Sequence, residues 1–402
     1  MKIRIEKGRA EGSITAPPSK SIAHRLLICA AMSDGVSTVK DIPSCEDVLA
    51  TLDCLEALGV KAERHGNDIT VYGKDFKTVK ANDLLRCRES GSTLRFMIPT
   101  AMLSGNEATF TGKEGLMVRP MGVYEKLFAE KGLKYEKNGD KITVRGVLEG
   151  GEYSLVGNVS SQFISGLIFA LPLAKHDSII RIAPPIESRS YINLTLDAVR
   201  RFGIQADWCD EHSIKIPANQ TYRPTDVTVE GDYSGAVFPD SLNLFGGNVT
   251  ILGLNPDSLQ GDSVYKKHFE LLKSGVPSIH IGDCPDLGPI LFAVAAAMCG
   301  GIFDGTKRLK IKESDRASAM ATELKKFGVS VSVYEDSVVV YPAEFHPPVE
   351  ELYGHNDHRI VLALSVLLTI TGGVIDGAEA ISKSYPTFFE DLASLGIEVK
   401  EI

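Results

Sequence analysis

The chain has 402 residues, of which 44% are hydrophobic and 24% charged, and its 43 Lys plus Arg against 52 Asp plus Glu give a net charge of −9. This length is too great for one compact core and predicts two or three domains. The acidic balance, without a long basic tract, argues against general nucleic-acid binding. Its apolar runs are too short to span a bilayer. The seven scattered cysteines form no CxxC pair and the N-terminus has no apolar signal-peptide core, so we expect a reduced, cytoplasmic protein without a thiolate metal site.

Six similar units follow one another along the chain. Each unit begins with a predicted apolar helix that ends in small residues and leads into a strand. An amphipathic helix follows, ends at a glycine and precedes short strands. The six glycines are Gly59, Gly132, Gly203, Gly275, Gly328 and Gly396. Their successive spacings of 73, 71, 72, 53 and 68 residues are too long for a common solenoid repeat and indicate a duplicated βαβαββ unit.

These six units predict two α/β domains of three units each. The polar, proline-bearing stretch IPANQTYRPTDVTVEGD follows the third unit and is the expected boundary. The first helix of each unit is apolar nearly all round, so we expect it to be buried. The second helix has one polar face and is expected to cover the outside.

Polar segments precede all six apolar helices, namely PSKSIAHR, ESGSTLR, NVSSQF, EGDYSG, DCPDLG and HNDHR. If equivalent helices of each domain point the same way, their N-termini gather at one end, and two such ends facing each other form a cleft. Helix N-termini attract anions because their free N–H groups carry partial positive charge. For any one segment, simple helix capping is an equally good explanation. The six together favour a cleft for an anionic small molecule.

The densest group of charges is KIKESDRASAM, residues 310–320, where an outer helix is expected to begin. Its charged residues alternate in sign at Lys312, Glu313, Asp315 and Arg316. Such a run is typical of a solvated, ion-paired turn. A buried carboxylate between two cations would instead be a positioned proton donor or acceptor.

The segment HNDHR, residues 355–359, is better explained by helix capping than by metal binding. We expect Asp357 to cap the helix and His358 and Arg359 to face an anion, since no third ligand completes a zinc motif. The chain also contains neither GxxxxGK[ST] nor GxGxxG, which argues against ATP and NAD, and no GxSxG nucleophile elbow, which argues against a hydrolase.

Nine segments in one order resemble the 5-enolpyruvylshikimate-3-phosphate synthase (EPSP synthase) family, and the resemblance covers essentially the whole chain. They are PPSKSIAHR, SGSTLRF, VRPMG, SSQF, ESRSYI, CPDLGP, KESDRASAM, NDHR and KSYPTFF. The resemblance implies an α/β, two-domain inverted α/β barrel-like fold, with three βαβαββ repeats around parallel buried helices in each domain. Because the N-terminal strand of this family joins the second domain, it implies domains at 19–229 and at 1–18 plus 230–402, with the active site in the cleft between them.

The resemblance also implies a reaction. Members of the family transfer the enolpyruvyl group of phosphoenolpyruvate to the 5-hydroxyl of shikimate 3-phosphate and release phosphate, through a tetrahedral intermediate. This step belongs to the shikimate pathway of chorismate and aromatic amino-acid biosynthesis, and glyphosate inhibits it at the phosphoenolpyruvate site. The family needs no metal or organic cofactor. The implied partners are two small-molecule substrates, without nucleic acid or membrane, and the expected state is a monomer.

Residue roles are carried over motif by motif. Asp286 is the expected base on the 5-hydroxyl and Glu313 the expected proton donor to the methylene carbon, and the implied catalytic set is Lys20, Asp286, Glu313 and His358. The residues expected to bind shikimate 3-phosphate are Lys20, Ser21, Arg25, Ser160, Ser161, Gln162, Ser188, Tyr191, Asp286 and Lys312. The residues expected to bind phosphoenolpyruvate are Lys20, Gly91, Arg119, Gln162, Arg316, Arg359 and Lys383.

Four positions depart from the pattern of many family members. Glu89 and Ser92 flank the glycine loop where many members have Asn and Thr, and Phe96 stands where many have Pro. These departures change the surroundings of the predicted glyphosate and phosphoenolpyruvate site. Arg308 occupies a position that is Asn in some relatives and is a further expected substrate contact.

Two alternative functions are weighed against this one. The sister enzyme that enolpyruvylates UDP-N-acetylglucosamine has a loop cysteine, but GKEGLMVRPMG has none, and its Lys-Asn pair is Lys20-Ser21 here. A non-catalytic anion-binding paralogue would have no need of the acid and base groups, whereas Asp286 and Glu313 are both retained.

Overall fold

The computed structural model describes residues 1–402. The chain divides into two compact units. The middle unit is Pro18–Glu230, and the terminal unit combines Met1–Pro17 with Gly231–Ile402. No helix in either unit is both long enough and apolar enough to cross a membrane.

Thirteen α-helices form along the chain. They are α1 Lys20–Ala31, α2 Glu46–Ala57, α3 Gly91–Ala101, α4 Glu114–Met117, α5 Gly122–Glu130, α6 Ser161–Ala170, α7 Arg189–Arg201, α8 Tyr233–Ser241, α9 Tyr265–Lys273, α10 Gly288–Ala297, α11 Arg316–Lys325, α12 His358–Thr371 and α13 Phe388–Ser394. Short 3-10 turns connect several of them, among them Pro285–Leu287 before α10 and Ala378–Lys383 before α13.

Twenty-two strands form between these helices. They are β1 Lys2–Ile5, β2 Glu11–Thr15, β3 Val36–Lys40, β4 Lys61–His65, β5 Asp68–Tyr72, β6 Leu85–Arg86, β7 Gly105–Thr111, β8 Lys134–Asn138, β9 Lys141–Gly146, β10 Gly151–Val156, β11 Ser178–Ala183, β12 Asp207–Trp208, β13 Ser213–Ile216, β14 Val227–Thr228, β15 Asn248–Leu252, β16 Ser278–His280, β17 Gly301–Asp304, β18 Val331–Val333, β19 Ser337–Val340, β20 Leu352–Tyr353, β21 Gly373–Asp376 and β22 Val399–Glu401.

The sheets repeat one pattern. In the sheet β10-β11-β13-β12, the strands β10 and β11 are parallel and are connected by α6. The hairpin β12–β13 follows, and its strand β13 pairs antiparallel with β11. The sheets β6-β7-β9-β8 and β16-β17-β19-β18 have the same order and directions. This is the βαβαββ unit that the spacing of the glycines predicts.

Two further sheets are completed by strands from a distant part of their own unit. In β14-β3-β5-β4, the last strand of the middle unit, β14, pairs parallel with β3 and takes the first position. In β20-β21-β1-β22, the N-terminal strand β1 lies antiparallel between β21 and β22, with Lys2 opposite Asp376. The start of the chain therefore supplies a missing strand to the last repeat.

The fourth repeat is a shortened version of the others. Its sheet contains only β15 and β2, which are parallel. No hairpin follows α9, and the next strand after this helix is β16, which belongs to the fifth repeat. The absent hairpin explains why the spacing from Gly275 to Gly328 is 53 residues and the other spacings are about 70.

The first helix of each repeat is buried, as its composition predicts. In α10, for example, nine of the ten residues Gly288–Ala297 are buried, whereas the amphipathic α7 buries one face and exposes Arg200 and Arg201. The six buried helices are α1, α3 and α6 in the middle unit and α8, α10 and α12 in the terminal unit, and each unit has its own apolar core. All six begin within the polar segments that the sequence singles out.

Candidate functional site

Two cations lie in the first turns of α1 in the middle unit. Lys20 is the first residue of α1, and its Nζ lies 2.9 Å from Oδ2 of Asp47 in α2. Arg25, one turn on, is buried and donates hydrogen bonds from Nε to the Thr195 hydroxyl (2.9 Å) and from Nη2 to the Tyr191 carbonyl (3.0 Å). Burial lowers the pKa of Arg25 to about 10, so the guanidinium stays charged at neutral pH.

The side chain of Phe96 lies beneath this arginine. Its ring centroid is 5.1 Å from the Arg25 guanidinium carbon and 5.4 Å from the ring of Phe169, edge to face. An aromatic face attracts a cation through its quadrupole. At this departure from the family pattern, the structure therefore places a contact to Arg25, inside the regular helix α3.

A group of arginine and amide side chains surrounds Gly91, the first residue of α3. Arg95 donates from Nη1 to Oε1 of Gln162 (2.7 Å), and the Gln162 amide donates to the hydroxyl of Ser92 (2.8 Å). A Cβ built on Gly91 would lie 2.9 Å from Nη1 of both Arg95 and Arg119. Since the φ of Gly91 is outside the left-handed region, this glycine is needed for space and not for its backbone conformation.

The remaining predicted residues of the middle unit lie at helix starts. Ser160 caps α6 and accepts the N–H of Gln162, and Ser161 is the first residue of that helix. Ser188 precedes α7 with a φ of 56°, and Tyr191 lies in the first turn of α7. The carbonyl of Ser21, in α1, accepts a hydrogen bond from Arg25.

In the terminal unit one guanidinium joins three carboxylates. Arg316, the first residue of α11, is only 1% exposed. Its Nη1 lies 2.8 Å from Oδ1 of Asp286, its Nη2 lies 2.7 Å from Oε2 of Glu313, and its Nε lies 2.8 Å from Oδ2 of Asp357. The solvated-turn explanation of the KESDR segment is therefore wrong for Arg316, which is buried in an ion-pair network, whereas the side chain of Glu313 stays 16% exposed.

Asp286 lies among three cations. Besides Arg316, Lys312 approaches Oδ1 with its Nζ at 3.0 Å, and Nη2 of Arg359 lies 3.8 Å from Oδ2. Burial raises the pKa of Asp286, but Lys312, Arg316 and Arg359 together bring that pKa well below its ordinary value. Burial in turn lowers the pKa of Lys312, an effect that its pairing with Asp286 offsets in part.

The N-terminus of α12 completes this cluster. Asp357 caps the helix by accepting the N–H of Arg359 (2.9 Å), as the sequence predicts, and it binds Arg316 at the same time. The Arg359 guanidinium donates to the carbonyl of Ser234. His358 is buried as the first residue of α12, and Lys383 donates to the carbonyl (2.6 Å) and the side-chain oxygen (2.9 Å) of Asn356 in the turn before it.

Three participants were missed by the reasoning from sequence. Arg95 had a signal, because it is the one charged residue in the apolar run of α3 and lies one turn after Gly91. Asp47 and Asp262 had none. Asp262 is buried and accepts the hydroxyl of Ser234, and burial together with the negative charge of Asp286 raises the pKa of Asp262 to about 6.

The two clusters offer different chemistry. The middle unit offers cations, hydroxyls and N–H groups at helix starts, which suit phosphate and carboxylate groups. The terminal unit also has cations, but it adds carboxylates held at fixed distances from them, which suits proton transfer next to bound anions. Arg308, the further expected contact, is buried and donates to the carbonyl of Gly282 (2.5 Å). No three His, Cys, Asp or Glu side chains lie close enough together to hold a metal ion.

Comparison with known proteins identifies the family. The family model described as EPSP synthase (3-phosphoshikimate 1-carboxyvinyltransferase) matches residues 5–392. A protein of Clostridium kluyveri named 3-phosphoshikimate 1-carboxyvinyltransferase is 39% identical, over 99% of this chain and 98% of its own length. A protein of the same name from Clostridium perfringens is 37% identical, over 100% and 99% of the two chains.

Solved structures agree with the fold. Two structures of EPSP synthase from Acinetobacter baumannii match the whole chain over their whole length, with TM-scores of 0.79 and 0.80 at 23% and 22% identity. They confirm the two-domain α/β fold class with its repeated units. With the full-length family match and relatives above 35% identity, the chain belongs to the EPSP synthase family.

Proposed function

We propose that this protein transfers the enolpyruvyl group of phosphoenolpyruvate to the 5-hydroxyl of shikimate 3-phosphate and releases phosphate. Family membership and the shared name of its relatives support this activity. The single structural observation that carries the proposal is the Arg316 network, in which Asp286 and Glu313 are held 2.8 and 2.7 Å from one buried cation. Such an arrangement provides two carboxylates next to a group that binds anions.

Both units contribute to substrate binding in this proposal. Shikimate 3-phosphate is bound by Lys20, Ser21, Arg25, Ser160, Ser161, Gln162, Ser188, Tyr191, Asp286 and Lys312. Phosphoenolpyruvate is bound by Lys20, Gly91, Arg119, Gln162, Arg316, Arg359 and Lys383. Among the residues of the middle unit, Arg119 and Gln162 lie around Gly91, which supports their assignment. In the terminal unit, the support is the network of Asp286, Lys312, Arg316 and Arg359.

The reaction follows an addition and an elimination. Glu313 gives a proton to the methylene carbon of phosphoenolpyruvate while the 5-hydroxyl oxygen bonds to the adjacent carbon and Asp286 takes the hydroxyl proton. The product of this step is a tetrahedral ketal that keeps the carboxylate and the phosphate. The carbon–oxygen bond to phosphate then breaks, Glu313 takes a proton back from the methyl group, and Asp286 returns its proton to the leaving phosphate. Arginine forks at Arg316 and Arg359 suit the two anionic groups because they bind them bidentately.

The low pKa of Asp286 has a consequence for its role as a base. A carboxylate held by Lys312, Arg316 and Arg359 accepts protons poorly. Substrate phosphate and carboxylate groups compete for the same cations, and each contact that they take from Asp286 weakens the field that lowers its pKa. Asp286 thus becomes more basic as the substrates bind, which couples the proton transfer to the presence of both anions. Lys20 and His358 complete the catalytic set, Lys20 by its charge at the start of α1 and His358 as a polar group at the start of α12.

We further propose that the protein acts in the cytoplasm as a monomer on small-molecule substrates, without a cofactor, and that the middle and terminal units are the family's two domains. Seven cysteines without a disulfide agree with a reducing compartment.

The test is a phosphate-release assay on the purified chain with phosphoenolpyruvate and either shikimate 3-phosphate or UDP-N-acetylglucosamine as acceptor. We expect phosphate and a stoichiometric enolpyruvyl ether only with shikimate 3-phosphate. Turnover with UDP-N-acetylglucosamine alone would assign the sister activity instead. Binding of both ligands without turnover would indicate an anion-binding paralogue.

A further inference from the structure

The turn that leads into α12 has a strained backbone. His355 and Asn356 are consecutive residues and both have a φ of 51°. Residues other than glycine adopt this left-handed region rarely, and only when contacts around them hold it in place. His and Asn are among the residues that tolerate it best. Something in the surroundings must therefore fix this turn, which lies directly before the cap Asp357.

Side-chain contacts hold the turn from two directions. On one side, the Lys383 ammonium donates to the carbonyl of Asn356 at 2.6 Å and to its side-chain oxygen at 2.9 Å. On the other side, Nε2 of His355 lies 2.9 Å from Oε1 of Glu323. Because an ionised carboxylate only accepts hydrogen bonds, the His355 ring donates from Nε2.

Glu323 is suited to anchor the turn. It lies in α11, two turns after Arg316, and its side chain is only 1% exposed. Besides His355, it accepts the Lys326 ammonium at 2.9 Å and the N–H of Tyr353 at 3.0 Å. Burial raises the pKa of Glu323, but these donors outweigh burial and keep the carboxyl below its ordinary value. A buried, ionised group with three donors has little freedom to move.

What the turn controls is the position of two anion-binding groups. Asn356 is the partner of Lys383, and the next residue, Asp357, binds Arg316 and caps the helix that carries Arg359. We propose that Glu323 is a positioning residue for the phosphoenolpyruvate site, which it fixes through His355, the 355–356 turn and Lys383. This inference rests on the proposed function, since it assigns Lys383 to phosphoenolpyruvate. An ion pair that only stabilises the terminal unit is the competing explanation.

Four substitutions separate these explanations. Glu323→Gln removes the charge and leaves an amide that cannot accept from all three donors at once. His355→Asn keeps a residue that tolerates a positive φ, but its side chain is too short to reach Glu323. Lys326→Met is the control, because it removes another partner of the same carboxylate; its second contact, to the carbonyl of Glu351, lies outside the 355–356 turn. Wild-type turnover is measured first, so that a failure of the proposed function is recognised independently.

We expect Glu323→Gln and His355→Asn to raise the KM for phosphoenolpyruvate about 5- to 10-fold, with kcat and the KM for shikimate 3-phosphate within twofold of wild type. His355→Gln, which restores a donor of sufficient length, recovers most of the loss. Lys326→Met lowers the unfolding temperature and leaves both KM values within twofold. An unchanged KM for phosphoenolpyruvate in His355→Asn, or an equal rise in Lys326→Met, would overturn the inference. If Glu323→Gln does not fold, the comparison of His355→Asn with His355→Gln tests the inference by itself.

Discussion

Two buried arginines, one in each unit, differ in the groups that hold them. In the middle unit, Arg25 donates to a hydroxyl and to two carbonyl oxygens, and its charge lies against the ring of Phe96. In the terminal unit, Arg316 makes its contacts with three carboxylates. Both guanidiniums are buried at helix starts, yet one has neutral partners and the other has an excess of negative ones.

Under the proposed function, this difference gives the two arginines different tasks. A buried cation with neutral partners still needs an anion, and a phosphate or carboxylate supplies it without displacing another charge. A cation among carboxylates lowers their pKa values, and a substrate anion must displace a carboxylate in order to bind that cation. We therefore expect changes in the middle unit to act mainly on substrate affinity, and changes in the terminal network to act mainly on turnover.

The largest effect is expected from the carboxylates of the terminal network. Asp286→Asn and Glu313→Gln should each lower kcat by roughly 10²-fold or more, the scale for losing general acid–base catalysis. Substrate affinity should be kept, since in Asp286→Asn the amide still hydrogen-bonds to the 5-hydroxyl and Lys312 and Arg316 lose a competing negative charge. Steady-state kinetics and calorimetric titration of shikimate 3-phosphate measure the two quantities separately.

Near wild-type kcat in either variant would remove that residue from the catalytic set. A loss of shikimate 3-phosphate affinity as large as the loss of kcat would contradict the division of tasks between the two units.

The next effect tests the middle unit. Gly91→Ala should raise the KM for phosphoenolpyruvate about tenfold, which corresponds to about 1.4 kcal/mol, because the new methyl group would lie 2.9 Å from Nη1 of Arg95 and of Arg119. The two guanidiniums are flexible ends that can move, so the fold should be kept while the anion site changes. Glyphosate, which is longer, should lose more affinity than phosphoenolpyruvate.

Gly122→Ala is the matched control. Gly122 is likewise the first residue of a helix, α5, and a Cβ there meets nothing within 4 Å. It should leave both KM values unchanged. A fall in unfolding temperature in Gly91→Ala without a selective change for phosphoenolpyruvate would remove Gly91 from the site.

A smaller effect, on stability, concerns Asp262 beside the terminal network. Burial and the charge of Asp286 raise its pKa from 3.8 to about 6, so between these values the folded state holds a proton that the unfolded state has lost. The contribution of Asp262 to stability therefore falls as pH rises through this window and is lowest above it. At neutral pH, Asp262→Asn should raise the free energy of unfolding by about 1 kcal/mol, which corresponds to an unfolding temperature a few degrees higher.

The gain should shrink as pH falls from about 6 towards about 4, where wild-type Asp262 is itself protonated. Thermal unfolding of both proteins across this pH range is the measurement, with exposed Asp257→Asn as control. A gain that does not depend on pH would show that Asp262 is not strained by its charge in the folded state.

Much of the fold could be predicted from the sequence, because the hydrophobic pattern of the chain repeats with each structural unit. The buried helices are apolar all round, their outer partners are amphipathic, and a glycine ends each outer helix. The pairing of β1 with β21 and β22 follows from no local pattern, since it joins the two ends of the chain. The loss of the hairpin in the fourth repeat was visible only as the short spacing before Gly328.

The candidate site was predictable where a helix start coincides with a charged motif. The segment KESDR contains Glu313 and Arg316, but only the fold shows that Arg316 is buried and also contacts Asp286 and Asp357 from distant segments. Asp262 and Asp47 could not be found, because Asp262 lies in an ordinary polar stretch and Asp47 is one of two acidic residues in the first turn of the amphipathic α2. Their importance comes from the tertiary neighbours Ser234 and Lys20.

The smallest effect tests the neutral partner of Arg25. Phe96→Leu removes the ring 5.1 Å from the guanidinium and keeps an apolar side chain in α3. A cation over an aromatic ring contributes about 0.5–2 kcal/mol, but Arg25 keeps its hydrogen bonds to Thr195, Tyr191 and Ser21. We therefore expect the KM for shikimate 3-phosphate to rise only about two- to threefold, with kcat and the KM for phosphoenolpyruvate unchanged.

Phe169→Leu is the control, because it removes the ring that packs against Phe96 and leaves the ring beneath Arg25. If both variants raise the KM for shikimate 3-phosphate equally, packing in the core and not the contact between cation and ring positions Arg25. If only Phe96→Leu does so, the aromatic ring helps to hold a charge that has no carboxylate partner, and the contrast between the two units extends to how each keeps its arginine in place.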